Sequence, residues 1–225
     1  MGKKTAVLVG LGDYYSERAT GYSSLPFVYQ NLSDLVDILT TYKWTVYTPI
    51  VDSAATEKNI FDSAIEKIGS LESDGWFLFY YTGHGALKTD SEMYLVNSAE
   101  NFRYDLVLPI NDFIFNYEYT KLTEFFRSKC PDGHMITIVD CCHAYGLITD
   151  FQTQQSFHTI IAASQKEEQA YYADNSFFFK ALKQTLLQTN EFQQIKDSIE
   201  IILPRMYRFS NCVIHIADNF QNSQL

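Results

Sequence analysis

The sequence predicts an α/β protein, a three-layer α/β/α sandwich around a mainly parallel central sheet of about six strands. Two observations predict it. Short apolar runs of β type alternate with longer stretches whose apolar residues recur at helical spacing, the pattern of successive βαβ units. The β-type runs are apolar nearly throughout, as in strands covered on both faces. A third observation concerns function: two of these runs stop abruptly on reactive side chains.

In chain order, residues 5–10 read as the first strand. Residues 31–42 read as a helix, with Leu32, Leu35, Val36, Ile38 and Leu39 on one broad face. Residues 44–48 are a second strand. Residues 56–69 are a second helix, with Ile60, Phe61, Ala64, Ile65 and Ile68 at helical spacing. Residues 76–81 are a third strand, 122–128 a helix, 135–139 a fourth strand and 157–163 a fifth. Residues 177–189 and 195–203 are helical, and 213–217 form a last short strand. No repeat, low-complexity segment or Pro/Gly/Ser linker divides residues 1–225, so a single domain is expected.

The formal charge is −10, from 17 basic and 27 acidic residues, which argues against nucleic acid as a partner. An acidic surface draws basic peptides by long-range attraction, although it also serves simple solubility. No apolar run approaches the roughly 20 residues that cross a bilayer, so no membrane partner is expected. Four cysteines (Cys130, Cys141, Cys142 and Cys212) lack the spacing of a disulfide framework. A reducing, cytoplasmic setting fits them.

The third strand runs into Thr82-Gly83-His84-Gly85, and the fourth into Asp140-Cys141-Cys142-His143. In parallel sheets ligands sit beyond the C-terminal strand ends, and both His84 and Cys142 fall there. An imidazole and a thiol so placed are a cysteine nucleophile and its base. Taken singly, each residue has a plainer reading. His84 could be a hydrogen-bonded structural histidine, and Cys142 a small buried hydrophobe. The flanking glycines favour the functional reading, because Gly85 leaves a backbone N–H open to a ligand and Gly83 allows a substrate chain to come close. A zinc site at Cys141, Cys142 and His143 is disfavoured, since three consecutive ligands on an extended segment point in alternating directions. Gly10-Leu11-Gly12 starts a dinucleotide fingerprint but lacks the rest, with Ser16 at the third glycine position. Asp90, Glu92 and Glu100 lack calcium-loop spacing, and neither a cofactor nor a metal is called for.

The pair taken together resembles the caspase family in its broad sense, particularly its metacaspase-like and bacterial caspase-like branch. That branch has a small-Gly-His-Gly strand end and an Asp-x-Cys-His-Ser-Gly strand end. His84 stands roughly 60 residues before Cys142, close to the family's spacing of about 50. Further segments follow in order. Residues 6–14 look like the family's first strand, and Asn31-Leu32-Ser33-Asp34 like the opening of its first helix. Tyr94-Leu95-Val96 sits where the family has a strand after the His-Gly loop. Ala162-Ala163-Ser164, Ala170 and residues 176–182 look like its Ala-Ala-Ser and Phe-x-x-Ala-Leu segments. The resemblance covers roughly residues 5–190. It implies a caspase-hemoglobinase-like fold and a cysteine endopeptidase.

The resemblance assigns Cys142 as nucleophile and His84 as general base and acid. It places the backbone N–H groups of Gly85 and Cys142 in the oxyanion hole, where one donor is worth about 3 kcal/mol. Cys141 is the rival nucleophile, but its side chain should point to the opposite face of the strand. The chain departs from the family after the nucleophile: Cys142-His143-Ala144-Tyr145-Gly146 is one residue longer to the glycine.

True caspases bind a P1 aspartate with arginines and a glutamine two residues before the nucleophile. Here that position is Asp140. The first arginine is expected at Val28, with Phe27 beside it, and the loop of residues 170–175 contains no basic residue. A carboxylate-lined pocket repels an acidic side chain and selects arginine or lysine, of which arginine offers the bidentate fit. The expected substrate is therefore a protein or peptide with a basic P1 residue, held by Asp140 and secondarily by Asp174. Asp140 has a second reading, as a strand-end carboxylate that accepts local backbone N–H groups. The whole chain has one as well: a catalytically silent caspase homologue serving as an interaction module. By family analogy a defence or cell-death pathway, with a regulatory partner chain, completes the expectation.

Overall fold

A computed structural model describes residues 2–14, 23–89, 92–96, 113–147, 156–165, 167–207, 211–220 and 223–225. Strand β1 (Lys4–Gly10) leads to helix α1 (Phe27–Thr41) and two short strands, β2 (Thr45–Val46) and β3 (Ile50–Val51). Helix α2 (Glu57–Gly69) leads to β4 (Trp76–Thr82), followed by β5 (Gly85–Thr89), β6 (Glu92–Val96) and β7 (Phe113–Phe115). Then come helix α3 (Asn116–Lys129), β8 (His134–Asp140), β9 (His158–Ala162), helices α4 (Phe177–Leu186) and α5 (Phe192–Met206), and β10 (Val213–His215).

Seven strands make the central sheet, in the order β10-β9-β8-β4-β1-β2, with β3 also on β1. Every pairing is parallel except β10 with β9. The caspase-like α/β sandwich expected from the sequence is present, with one strand more. The extra strand, β3, lies beyond the predicted 44–48 segment, which supplies only β2. Pro49 has no N–H to give a ladder, and pairing with β1 resumes beyond it, at Ile50. A second sheet, β5-β6-β7, is antiparallel. Only its middle strand was expected.

The side chains of β4 sort by parity. Phe77 and Phe79 meet Phe126 and Tyr119 of α3, at 6.4 and 6.1 Å between ring centroids. Trp76 and Tyr80 meet Phe192 of α5 and Phe179 of α4, at 6.5 and 6.2 Å. Strand period two thus feeds one helical layer from odd positions and the other from even ones. Helices α2 and α3 pack together in one layer, and α1, α4 and α5 in the other. Asp34 of α1 pairs with Lys183 of α4 across the latter, at 2.6 Å. All seven residues of β4 and of β8 are buried.

The start of helix α1 differs from the sequence reading, whereas those of α2 and α4 agree with it to within one residue. Helix α1 starts at Phe27, after Pro26, whose φ of −62° already suits a helix. Helices α2 and α4 start behind Thr56 and Ser176, whose hydroxyls accept N–H groups from Asn59 and Phe179. Helix α5 runs past Leu203 and takes Pro204 into its last turn. None of the described helices is long and apolar enough to cross a membrane.

Candidate active site

Strands β4 and β8 are adjacent and in register, with Thr82 opposite Asp140. Their C-terminal ends therefore deliver His84 and Cys142 to one place. Both line a single cleft, together with Thr82, Gly83, Asp140, Cys141 and Ser176. Leu25, Phe27, Ala170, Tyr171 and Tyr172 close its other sides. The enclosed space is only about 20 Å³, room for roughly one water molecule.

Both backbone polar groups of His84 are held by tyrosine hydroxyls. Its N–H donates to the Tyr14 hydroxyl at 2.7 Å, and its C=O accepts from the Tyr81 hydroxyl at 2.7 Å. The Tyr14 ring lies 4.8 Å from the imidazole, and Nε2 is 2.9 Å from the Ser23 carbonyl. A Cβ on Gly83 would lie 2.8 Å from both tyrosine hydroxyls. Glycine is therefore required there so that the tyrosines can reach His84, a different use from the substrate approach expected of it. Burial pulls the imidazole pKa below its ordinary value, and the Ser23 carbonyl partly offsets this. Gly85 is buried, begins β5 and pairs with Leu95 of β6.

Cys142 is half-buried, and its Sγ lies 3.7 Å from the Ala170 carbonyl. Burial pushes its thiol pKa up, and Asp140 adds to the effect. Cys141 is 2% exposed and its thiol is pushed up much further, first by burial. The loop after Cys142 turns at once into a short 3-10 segment, Ala144–Leu147. His143 takes a left-handed φ of 57° there, a conformation histidine tolerates better than most residues. Its N–H donates to the Glu168 carbonyl at 2.8 Å, and the next two N–H groups go to the Ser164 hydroxyl and carbonyl.

Asp140 is 3% exposed. Its carboxylate accepts from the Ser176 hydroxyl at 2.7 Å and from the Thr82 hydroxyl at 3.4 Å. Burial pushes its pKa up to about 7, and the two hydroxyls pull the other way. The backbone N–H groups of its second reading are not among these partners. Asp174 is not a lining residue of the cleft; it sits on the surface and pairs with Lys180 at 2.5 Å.

The pocket position expected at Val28 needs correction. Val28 is fully buried on α1, and a Cβ on Gly10 would lie 2.7 Å from its side chain. Phe27, expected beside it, does line the cleft, together with Leu25, because the turn at Pro26 precedes the helix and faces the strand ends. Sequence reading also missed Tyr14, Tyr81 and Ser176. Ser176 was legible as a helix cap, but its second contact joins positions far apart in the chain. Among the described residues, no group of three or more His, Cys, Asp or Glu side chains could hold a metal ion.

The fold and the two strand ends define a caspase-like peptidase architecture, and comparison with known proteins agrees. The caspase domain family matches residues 3–210, and the chain belongs to that family of peptidases. A solved structure, protein GSU0716 from Geobacter sulfurreducens, superposes with a TM-score of 0.73. The match covers 99% of this chain and 97% of that one at 14% identity, a likeness of fold. No curated protein matches the chain.

Proposed function

We propose that this protein is a cysteine endopeptidase that hydrolyses peptide bonds after arginine or lysine, with Cys142 as nucleophile and His84 as its base. One juxtaposition carries the reading: His84, Cys142 and the buried Asp140 line one cleft at the C-terminal ends of adjacent parallel strands. The thiol pKa is pushed up and the imidazole pKa pulled down, so the resting pair is neutral. The proton passes from Sγ to the imidazole as the sulfur attacks the scissile carbonyl. His84 then gives it to the leaving amine, and water hydrolyses the thioester. The N–H groups of Gly85 and Cys142 receive the oxyanion.

Asp140 is the P1 contact in this reading, and among the described residues no lysine or arginine lines the cleft to compete for it. Asp174, already paired with Lys180, is at most an outer attraction for a basic peptide. The substrate is a protein or peptide with a basic P1 residue. A regulatory partner chain, a cytoplasmic setting and a place in defence or cell death rest on the family resemblance and on cysteine usage. Fluorogenic peptides differing only at P1 test the reading: cleavage after Arg and Lys, lost in Cys142→Ala, is expected. Preference for P1 Asp would sink it.

One observation favours the second reading, a silent homologue acting as an interaction module. The cleft holds too little space for an arginine side chain, and the Cys142 and His84 side chains both face backbone carbonyls of their own chain. Labelling of Cys142 by an electrophilic peptide separates the two, since a silent cleft stays unlabelled.

A further inference from the structure

We propose that Ser176 is a positioning residue for the selection of basic substrates: its hydroxyl ties the first turn of helix α4 to the Asp140 carboxylate and holds that carboxylate as an anion at the cleft. The proposal rests on the reading of Asp140 as the P1 contact.

A serine hydroxyl has one proton. Here it points at Asp140 Oδ1, 2.7 Å away, while the oxygen accepts the Phe179 N–H at 3.1 Å. The first N–H groups of a helix are otherwise unpaired and carry its positive end. Helix α4 has 10 residues, enough to carry such an end. Ser176 relays that end to the carboxylate through a chain of two bonds aligned in one direction. Both residues are almost closed to solvent, at 4% and 3% exposure, so water cannot substitute for the relay.

A buried carboxylate without a cation must take its stabilisation from dipoles. Among the described residues, the titratable groups around Asp140 supply no positive charge at rest. They are Tyr80 on β4, His84 beyond its end, Cys141 and Cys142 on its own strand end, and Tyr171 and Tyr172 on the facing loop. The lysines of α4 are engaged elsewhere, Lys180 with Asp174 and Lys183 with Asp34. Thr82 reaches the other carboxylate oxygen only at 3.4 Å. Ser176 thus makes the shorter of the two contacts that keep Asp140 ionised. The balance it adjusts lies near neutrality, since the carboxyl titrates at about 7.

The test compares wild type with Ser176→Gly, Ser176→Ala and Ser176→Thr. Glycine removes the hydroxyl yet remains a competent N-cap within a few tenths of a kcal/mol, whereas alanine loses both functions. Threonine restores the hydroxyl. The first readout is the carboxyl titration of Asp140 by carbon-13 NMR, assigned with Asp140→Asn. The second is the ratio of kcat/KM for P1 arginine to that for P1 citrulline, from about pH 5.5 to 8.5, spanning the carboxyl's midpoint. Ser176→Gly and Ser176→Ala are expected to raise the midpoint by about one pH unit. They should also cut the ratio at pH 7 by roughly five- to tenfold, and Ser176→Thr should recover both. A midpoint that does not move in Ser176→Gly overturns the role of Ser176, whether or not any peptide is cleaved. A wild-type protein with no preference for arginine over citrulline overturns the P1 reading of Asp140 and this proposal with it, while the titration still reports on the relay itself.

Discussion

Strand β8 starts on His134 and stops on Asp140; both side chains are buried on the same face, and the two ends treat them differently. Asp140 accepts two hydroxyl hydrogen bonds and borders a cleft. His134 is fully buried, and neither ring nitrogen has a hydrogen-bond partner among the described residues. Aromatic rings hold it instead: Trp76 stacks at 4.7 Å, Phe192 at 5.5 Å, and Phe220 meets it edge-on at 3.8 Å. The contrast separates two uses of one strand. The end without polar partners packs the core and forces the imidazole neutral, well below its ordinary pKa. The end supplied with hydroxyls keeps a charge available near neutral pH. In parallel sheets the carboxyl ends of strands are where ligands bind, and the polar investment lies at that end.

The largest effect that would break this comparison is loss of activity without loss of stability. Cys142→Ala or His84→Ala should lower kcat/KM by about 10³-fold or more, with Tm nearly unchanged. A similar loss from Cys141→Ser with Cys142 intact would reassign the nucleophile.

Asp140→Asn should lower the arginine-to-citrulline ratio by roughly 100-fold. It should also stabilise the protein at alkaline pH. The folded pKa of about 7 lies above the unfolded value of about 3.9. Stability from this group is therefore full below about pH 4 and is lost as pH rises through 7. Removing the charge should gain on the order of 4 kcal/mol at pH 8 and nothing at pH 4, measured by urea unfolding.

The opposite end should show the opposite sign. His134 is depressed well below its unfolded value, and burial lowers His158 to about 3. Both histidines are neutral in the fold, so their contribution is intact above about pH 6.5 and falls as pH drops, to about 3 for His158. Each adds up to about 1.4 kcal/mol of destabilisation per pH unit. His134→Phe should flatten the stability curve between pH 6 and about 4. An unchanged slope would place the acid sensitivity elsewhere.

The smallest effect concerns access to the cleft. Tyr172 joins its two walls, with its hydroxyl 3.3 Å from Ser23 Oγ and its ring 5.3 Å from Phe27. Tyr172→Phe removes only the hydrogen bond, worth about 1 kcal/mol or less at an exposed site. It should raise kcat/KM two- to fivefold if parting those walls limits substrate entry. A decrease would mean that the hydroxyl binds substrate instead.

Much of the fold was legible because strands buried on both faces leave long apolar runs, and helices on their faces leave helical periods. The Cys142 and His84 strand ends were legible for the same reason: each run stops where the core stops. What escaped were contacts between segments distant in sequence. Tyr14 and Ser23 reach His84 across 70 and 61 residues, and Ser176 reaches Asp140 across 36. No local pattern encodes such pairs. The shift from Val28 to Leu25 has a similar origin, since the cap at Pro26, not the apolar period, sets where α1 begins.

By itself the sequence determined the α/β class and where the two apolar runs end, on His84 and on the Cys141-Cys142 pair, because strand parity and apolar length are local properties of a chain. Tertiary structure alone decided that β4 and β8 are neighbours in register, that tyrosine hydroxyls fix His84, and that a helix cap supports Asp140. Those depend on which surfaces meet when the two helical layers close on the sheet, and burial then sets the charge each group can carry.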